Sequence, residues 1–305
     1  MKRTLKSFFV STLMVLICLT LVACVKDTQT NELDSTLPFS DKYPENVNTE
    51  YKISSEMNAI EMYEAGVKNF LEADFVASHQ LGNITTKSLL GTMNQKLDCF
   101  KIKQDNKYYL DSTSYTVSGG PEIRMCDQSI YENGKYRVRS ANSDDIKINK
   151  DKDGIIVSKW PAISYFDSLS EGLESFPDDL TRMNMYIVNA DTAKTYTKRP
   201  RYDAKNRTYK FSITLDITTA TEDYISTMVY KTNKGSSLMN ISGKDITFSR
   251  LRLTVVMWEN GLIKSVANDE AYDIKVFGGS STTLLATTYF TYDRAERNIN
   301  NYLTF

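Results

Sequence analysis

The stretch RLRLTVVMWENGLIKSVANDEAYDIKVF, residues Arg250 to Phe277, decides the fold class of this chain. In its first part every second residue is large and apolar: Leu251, Leu253, Val255 and Met257. This period-two alternation is typical of a β-strand that buries one face. Asn260-Gly261 divides the stretch, and this dipeptide between β-forming residues predicts a type I′ hairpin that joins two long strands.

The same pattern recurs on both sides of this stretch. RTYKFSITLDI, residues 207–217, places Tyr209, Phe211, Ile213 and Leu215 on one face, and SIYENGKYRVRS, residues 129–140, contains a second Asn-Gly hairpin signal. Two segments have helical periodicity instead: AIEMYEAGVKNFLEADF, residues 59–75, and a segment with Tyr224, Ile225 and Met228 on one stripe. The predicted fold class is α+β, a large curved antiparallel β-sheet (an incomplete barrel) with a few helices packed on its concave apolar face.

The N-terminus has the features of a bacterial export signal. Lys2, Arg3 and Lys6 precede an apolar run that is too short to span a membrane comfortably. The run ends in Leu-Val-Ala-Cys, which resembles the bacterial lipobox, and the resemblance implies that Cys24 is acylated and becomes the mature N-terminus. The alternative is an ordinary signal peptide or a short anchor. We therefore predict a signal peptide over residues 1–23, a flexible tether over 24–53 with a reach of about 30 Å, and a single β-rich domain over 54–305.

The net charge of the chain limits the classes of partner that it is expected to bind. Without residues 1–23 the chain has 34 basic and 38 acidic residues, a formal net charge of −4. Nucleic-acid binding depends on a basic surface, so we expect no nucleic-acid partner. Attachment to the extracytoplasmic face of the cell membrane would rest on acyl chains, palmitate among them, rather than on a basic patch. No protein partner is identified by the sequence.

Two further cysteines, Cys99 and Cys126, lie in strand-like stretches. A disulfide between them is allowed outside the cytoplasm. With another strand between the strands of Cys99 and Cys126, the two sulfur atoms would be too far apart to bond, which favours two buried thiols.

The sequence offers little support for catalysis or metal binding, and we predict no enzyme, no cofactor and no catalytic or metal-binding residue. His79 is the only histidine, and the motifs of serine hydrolases, redox dithiols and P-loops are absent. NKDKDG, residues 149–154, matches the start of an EF-hand loop, but position 12 falls on Trp160 rather than on the bidentate glutamate. The carboxylate pairs Asp144-Asp145, Glu171 with Glu174, and Asp178-Asp179 are typical of solvated loops and helix starts.

The order of elements resembles that of the LolA/LppX-type lipoprotein carriers. The resemblance covers most of the chain after about Ser54 and rests on the opening helix, the hairpin IYENGKYRV and the strands of Arg250 to Phe277. It implies an incomplete barrel whose concave apolar surface accepts acyl chains, with no catalytic residue. The candidate cavity lining is Tyr209, Phe211, Ile213, Leu215, Leu251, Leu253, Val255 and Met257, with Tyr224, Ile225 and Met228 as a lid. The alternative is a protein- or glycan-interaction module with a solid core.

Overall fold

The computed structural model describes residues 38–305 except 90, 120–121, 123, 143, 150–153, 176–181, 184–185, 236–240, 276–278 and 304. The predicted signal peptide, Cys24 and the first part of the predicted tether lie outside the described residues. Within the described part of the chain, no helix has the length and apolar character needed to cross a membrane.

Twelve strands of the described residues form one antiparallel sheet that does not close into a barrel. In chain order its strands are β1 Phe75–Ser88, β2 Gly91–Gln104, β3 Lys107–Ser118, β4 Arg124–Glu132, β5 Lys135–Ala141, β8 Ser164–Phe166, β9 Ala193–Tyr196, β10 Arg201–Asp203, β11 Thr208–Leu215, β12 Ile246–Trp258, β13 Ile263–Ile274 and β14 Ser280–Thr291. The spatial order is β10-β11-β12-β13-β14-β1-β2-β3-β4-β5-β8, and β9 also pairs with β11. The first and last long strands are therefore neighbours at the centre, as the pairing of Ser78 with Phe290 shows. A separate hairpin pairs β6 Ile146–Asn149 with β7 Gly154–Val157.

Among the residues that the structure describes, three α-helices accompany the sheet: α1 Ala59–Glu72, α2 Leu169–Ser175 and α3 Glu222–Gly235. Short 3₁₀ turns cover Gly243–Asp245 and Ile299–Asn301. Helix α1 begins with a capping box, in which the Asn58 side chain accepts from the backbone of Glu61 and the Glu61 carboxylate accepts from the backbone of Asn58. The predicted fold class is confirmed: an α+β protein with an open curved antiparallel sheet and helices on its concave apolar face.

The half of the sheet with β11 and β12 buries its concave face, whereas the half with β2–β5 buries apolar residues on both faces. The apolar residues of β11 and β12 lie on the concave face against α1. On β1 the neighbours Val76 and Phe75 point to opposite faces; Val76 joins that core, while Phe75 joins a second core on the convex face. The second core contains Phe39, Phe75, Ala77, Ile102, Tyr109, Ile130 and Ile299, covered by both ends of the described chain. The sequence prediction of a single apolar face is therefore correct only for the half built from β11–β14.

The two Asn-Gly turns differ from each other. Asn133 and Gly134 both have positive φ, 53° and 77°, as the predicted type I′ turn requires. At the other turn Gly261 alone has positive φ, 90°, and its N–H donates to the Trp258 carbonyl at 2.9 Å. This is a three-residue hairpin loop that ends in a left-handed glycine, so the predicted type I′ geometry is corrected there.

The folded part of the chain begins earlier than the predicted boundary at residue 54. Phe39 is buried in the convex core, and Thr49 is buried against the β12–β13 turn. Residues 38–53 are polar in sequence but contact the sheet through a few aromatic and hydrogen-bonded side chains, which a composition argument does not detect. Cys99 on β2 and Cys126 on β4 are buried thiols with β3 between them, as the spacing argument predicted.

Candidate functional site

The strand residues predicted to line a cavity lie in the concave core. Phe211, Ile213, Leu215, Leu251, Leu253, Val255 and Met257 are each at most 2% exposed, and Tyr209 packs against the same cluster. Ile60, Met62, Tyr63 and Phe70 of α1 fill the space over these strands. The predicted lid residues Tyr224, Ile225 and Met228 lie on α3 and pack in a different cluster, with Ile241, Ile246 and Phe248. The structure thus places both groups on the concave face, but over different parts of it, and a ligand-lining role for them stays a prediction.

A large groove lies elsewhere, beneath residues 38–50, which we call the strap. The strap groove has a volume of about 1190 Å³ and is open to solvent on one side. One wall is the strap, and a second is formed by residues 69–75, which comprise the end of α1 and the start of β1. The adjoining ends of β12, β13 and β14 and the segment after β14 complete the groove. None of the predicted lining or lid residues contributes to it.

The strap is held to the sheet at separated points. Near its start, the Ser40 N–H donates to the Glu296 carboxylate at 3.1 Å, and Asp41 forms an ion pair with Lys264. At its end, the Thr49 hydroxyl donates to the backbone carbonyl of Asn260 at 2.6 Å. Between these attachments the chain spans the groove as one wall.

Aromatic and cationic side chains stack along the middle of the strap. The rings of Tyr43 and Trp258 meet edge to face with centroids 5.7 Å apart. The Arg207 guanidinium lies 3.5 Å from the centre of the Tyr43 ring, and the Lys264 ammonium 4.3 Å from that of Trp258. Burial raises the pKa of Tyr43, an effect that the nearby Arg207 partly offsets. The strap therefore docks through ring and cation–π contacts as well as hydrogen bonds.

The groove combines an apolar floor with a polar, acidic rim. Its floor is formed by Trp258, Leu262, Phe290 and Tyr292, which also belong to the concave core. The charged residues around it are Asp41, Glu45, Glu50, Glu72, Asp74, Asp293 and Glu296 against Lys42, Lys264 and Arg294. Lys264 pairs with Asp41 and Arg294 with Asp105, which leaves the carboxylates in excess. Such a groove suits an amphipathic molecule whose polar part is neutral or cationic.

A second polar feature is the side chain of Glu270 on β13, which is 1% exposed. Its two oxygens accept hydrogen bonds from the hydroxyls of Tyr186 and Tyr224, the latter at 3.3 Å. Burial raises the pKa of Glu270 to about 7, although both hydrogen bonds act in the opposite direction. Burial beside this carboxyl also raises the pKa of Tyr224 and Tyr186 well above 10.

The convex face carries its own polar network. Asp111 accepts from the Gln128 amide at 2.7 Å, and Arg139 donates to the Gln128 amide oxygen at 2.6 and 2.8 Å. The Arg139 guanidinium is placed between the rings of Trp160 and Phe305, 4.0 and 3.9 Å from their centres. Burial raises the pKa of Asp111. This network fixes the C-terminal segment on β3–β5.

The remaining sequence candidates are dispersed. His79 lies within β1, forms a 2.7 Å hydrogen bond with Asp98 and contacts the rings of Phe39 and Phe100. Asp144 and Asp145 occupy a turn, and Glu171 accepts from the backbone of Asp167 near the start of α2. Residues 150–153 of the EF-hand-like stretch and Asp178-Asp179 lie outside the described residues. In the part of the chain that the structure describes, no three His, Cys, Asp or Glu side chains are grouped as a metal site would need.

Sequence reasoning missed both the strap groove and the Glu270 cluster. The groove lies beneath a segment assigned to the tether, and the Tyr43 and Phe39 rings were the only signal that this segment docks. Glu270 occupies an inward position of a predicted strand, so strict alternation on β13 could have revealed it.

Comparisons with known proteins add little. No known protein family matches the chain, and no curated protein does. A crystal structure described as a β-barrel-like protein of domain of unknown function DUF1849 from Brucella abortus is similar with a TM-score of 0.24 and 10% sequence identity, covering 72% of this chain and 99% of that chain.

Proposed function

We propose that this chain is a non-enzymatic lipoprotein, anchored through Cys24 at the extracytoplasmic face of the cell membrane, that binds a lipid or lipid-linked molecule in the strap groove. The observation that carries the proposal is the groove of about 1190 Å³. This volume slightly exceeds that of typical small-molecule sites, which measure about 300–1,000 Å³, and leaves room for a lipid.

The lining favours a particular ligand chemistry. The floor side chains Trp258, Leu262 and Phe290 are apolar, and the small part of each that is exposed, 1–6%, would contact an acyl or prenyl chain. The surplus of carboxylates on the rim disfavours a free fatty acid or an anionic headgroup, because like charges repel across the short distances of a groove. A lipid-linked molecule with a neutral or cationic polar part is the best match.

The position of the groove suits a membrane-derived ligand. The strap begins at residue 38, and residues 25–37 are the stretch between it and Cys24. A flexible segment of that length has a root-mean-square reach of about 20 Å. Lipidation of Cys24 would therefore keep the groove within about that distance of the bilayer surface.

A specific observation favours a second function, an interaction module with a solid core. The side chains of Leu251, Leu253 and Val255 are fully buried against α1 rather than lining an open space. In that case the strap groove would hold a segment of a partner protein or a glycan instead of a lipid.

Native mass spectrometry of the mature chain, with Cys24→Ser so that it stays in solution, distinguishes the two functions. Residues 38–53 must be retained because they form a wall of the groove. We expect a bound lipid mass with the wild-type groove and its loss in Ser265→Phe, which narrows the groove. Ser249→Phe, at an exposed position of β12 outside the groove, is the matched control and should retain the lipid. A chain that carries no lipid in any of the three forms would overturn the lipid proposal and favour the interaction module.

A further inference from the structure

The buried carboxyl of Glu270 connects the sheet to two elements that cover it. Tyr224 lies in the first turn of α3, and Tyr186 lies in the irregular segment of residues 186–190. Both tyrosine hydroxyls donate to Glu270, and their rings meet edge to face with centroids 5.3 Å apart. One side chain of β13 therefore holds both covering elements.

The described residues around Glu270 provide no compensating positive charge. Its neighbours across the sheet are Leu251 on β12 and Leu284 on β14, and no cation of the described residues pairs with it. Asp269, on the opposite face of β13, pairs with Arg250 at 2.8 Å and adds negative charge near Glu270. The other titratable group on the same face is Tyr272, whose pKa burial raises to about 12.

The charged side chains that are described on the covering elements do not pair with the carboxyl. On α3, Glu222 is exposed and Asp223 pairs at 2.8 Å with Arg182, which precedes Tyr186 in the chain. Neither charge of that pair contacts Glu270. Among the described residues, only two tyrosine hydroxyls would therefore stabilise an ionised Glu270, and hydration would favour an open arrangement.

The surface beneath α3 is apolar. Ile225, Met228 and Val229 of α3 pack on the side chains of Ile241, Ile246, Phe248, Tyr272 and Ile274. Phe248 is in ring contact with both Tyr224 and Tyr272, at centroid distances of 5.8 and 5.2 Å. Movement of α3 away from the sheet would uncover this surface, at the end of the sheet that is far from the strap groove.

We propose that Glu270 is a pH-sensitive latch: in its protonated form it holds α3 and the segment around Tyr186 on the sheet, and its ionisation releases them and uncovers the apolar surface beneath. The proposal does not depend on the strap groove or on its ligand. It assigns a role to Tyr224, Ile225 and Met228 as a movable cover, with Glu270 as the group that decides whether the cover is closed.

Hydrogen–deuterium exchange of the Cys24→Ser mature chain, corrected for the intrinsic pH dependence of exchange, tests the latch. Between pH 5 and 7 we expect the opening constant of residues 222–235 to rise by up to about tenfold per pH unit, because opening then releases one proton, and to level off above that range. Glu270→Gln, which cannot ionise, should make this profile flat. Glu222→Gln, which removes an exposed carboxylate from the same helix, is the matched control and should behave as the wild type.

Two results would overturn the latch. One is an α3 profile that depends on pH equally in the wild type and in Glu270→Gln. The other is a change in exchange that is spread over β1–β5 as strongly as over α3, which would indicate global unfolding rather than local release. Tyr224→Phe provides a second check, because loss of one hydroxyl donor should increase opening of α3 at every pH.

Discussion

The hydroxyl of Thr49 donates a 2.6 Å hydrogen bond to the backbone carbonyl of Asn260, although 211 positions separate the two residues. The Asn260 amide in turn donates to the carbonyl of Pro44 at 3.3 Å. The strap and the β12–β13 turn are therefore fixed to each other from both sides. The turn that the strap contacts is the three-residue loop of residues 259–261, in which Gly261 alone has positive φ.

Asn69 is expected to be a key polar residue of this junction. It is 4% exposed; its amide donates to the carbonyls of Tyr51 at 2.8 Å and Gly261 at 3.1 Å, and its oxygen accepts from the Tyr51 N–H at 3.1 Å. Asn69→Leu should lower the free energy of unfolding by about 2–4 kcal/mol, because three backbone groups lose their partner. Urea unfolding of both proteins measures the difference. A loss below about 0.5 kcal/mol would mean that Asn69 does not hold Tyr51 and the β12–β13 turn together.

Alanine at the two turn glycines should separate backbone strain from crowding. Gly134 has a φ of 77° and open space around its Cα, whereas a Cβ at Gly261 would lie 2.8 Å from both the Asn69 amide nitrogen and the Tyr51 carbonyl oxygen. Gly134→Ala should lower the free energy of unfolding by about 1 kcal/mol through backbone strain alone. Gly261→Ala should lower it by more, because crowding of the added Cβ is combined with the strain. Thermal unfolding of the two variants gives the comparison. Equal losses would contradict the close approach of Asn69 and Tyr51 to the β12–β13 turn.

The stability of the protein should decrease as the pH rises from about 4.5 to 7. Burial raises the pKa of Glu270 from 4.5 to about 7, so over this range the folded chain retains a proton that the unfolded chain has released. Glu270 contributes a total of about 3 kcal/mol to the free energy of unfolding. This contribution is fully present below the pKa of the unfolded state and is lost as the pH rises through the pKa of the folded state. Glu270→Gln should remove this decrease. Denaturant midpoints at pH 5, 6, 7 and 8 measure it, and parallel curves for wild type and variant would contradict the assignment to Glu270.

Membrane attachment is expected to depend on Cys24, which lies outside the described residues. Cys24→Ser should leave the chain without acyl groups and move it from the membrane fraction to the soluble fraction, because the residues that follow are polar and offer no second anchor. Fractionation after salt and carbonate washing measures the shift. A variant that stays in the membrane fraction would show that the Leu-Val-Ala-Cys stretch is not a lipidation signal.

Much of the sheet could be predicted from the sequence because its signals are local. The alternation of apolar residues such as Phe211 and Leu253 with polar ones marks the inward and outward positions of a strand. The dipeptide Asn133-Gly134 predicts a tight turn with a two-residue loop. The thiols of Cys99 and Cys126 followed from strand counting, since a meander places β3 between them.

Local sequence signals of this kind could not predict the candidate sites. The strap groove depends on contacts between Tyr43, Thr49 and residues more than 200 positions away, and nothing in a polar, proline-containing segment marks it as docked. Glu270 is in an inward position on β13, but its significance comes from Tyr186 and Tyr224, which only the path of the chain over the concave face brings to it.

By itself, the sequence determined the strands, their inward faces and the α+β class, because period-two burial and tight turns are properties of short segments. Only the tertiary structure decided that the strap packs on the sheet, that the half with β2–β5 buries both of its faces, and that no cation of the described residues pairs with Glu270. These features arise from the pairing of β1 with β14 and from the docking of chain ends on the sheet. Such long-range contacts depend on the shape of the whole sheet, and no local pattern of residues specifies them.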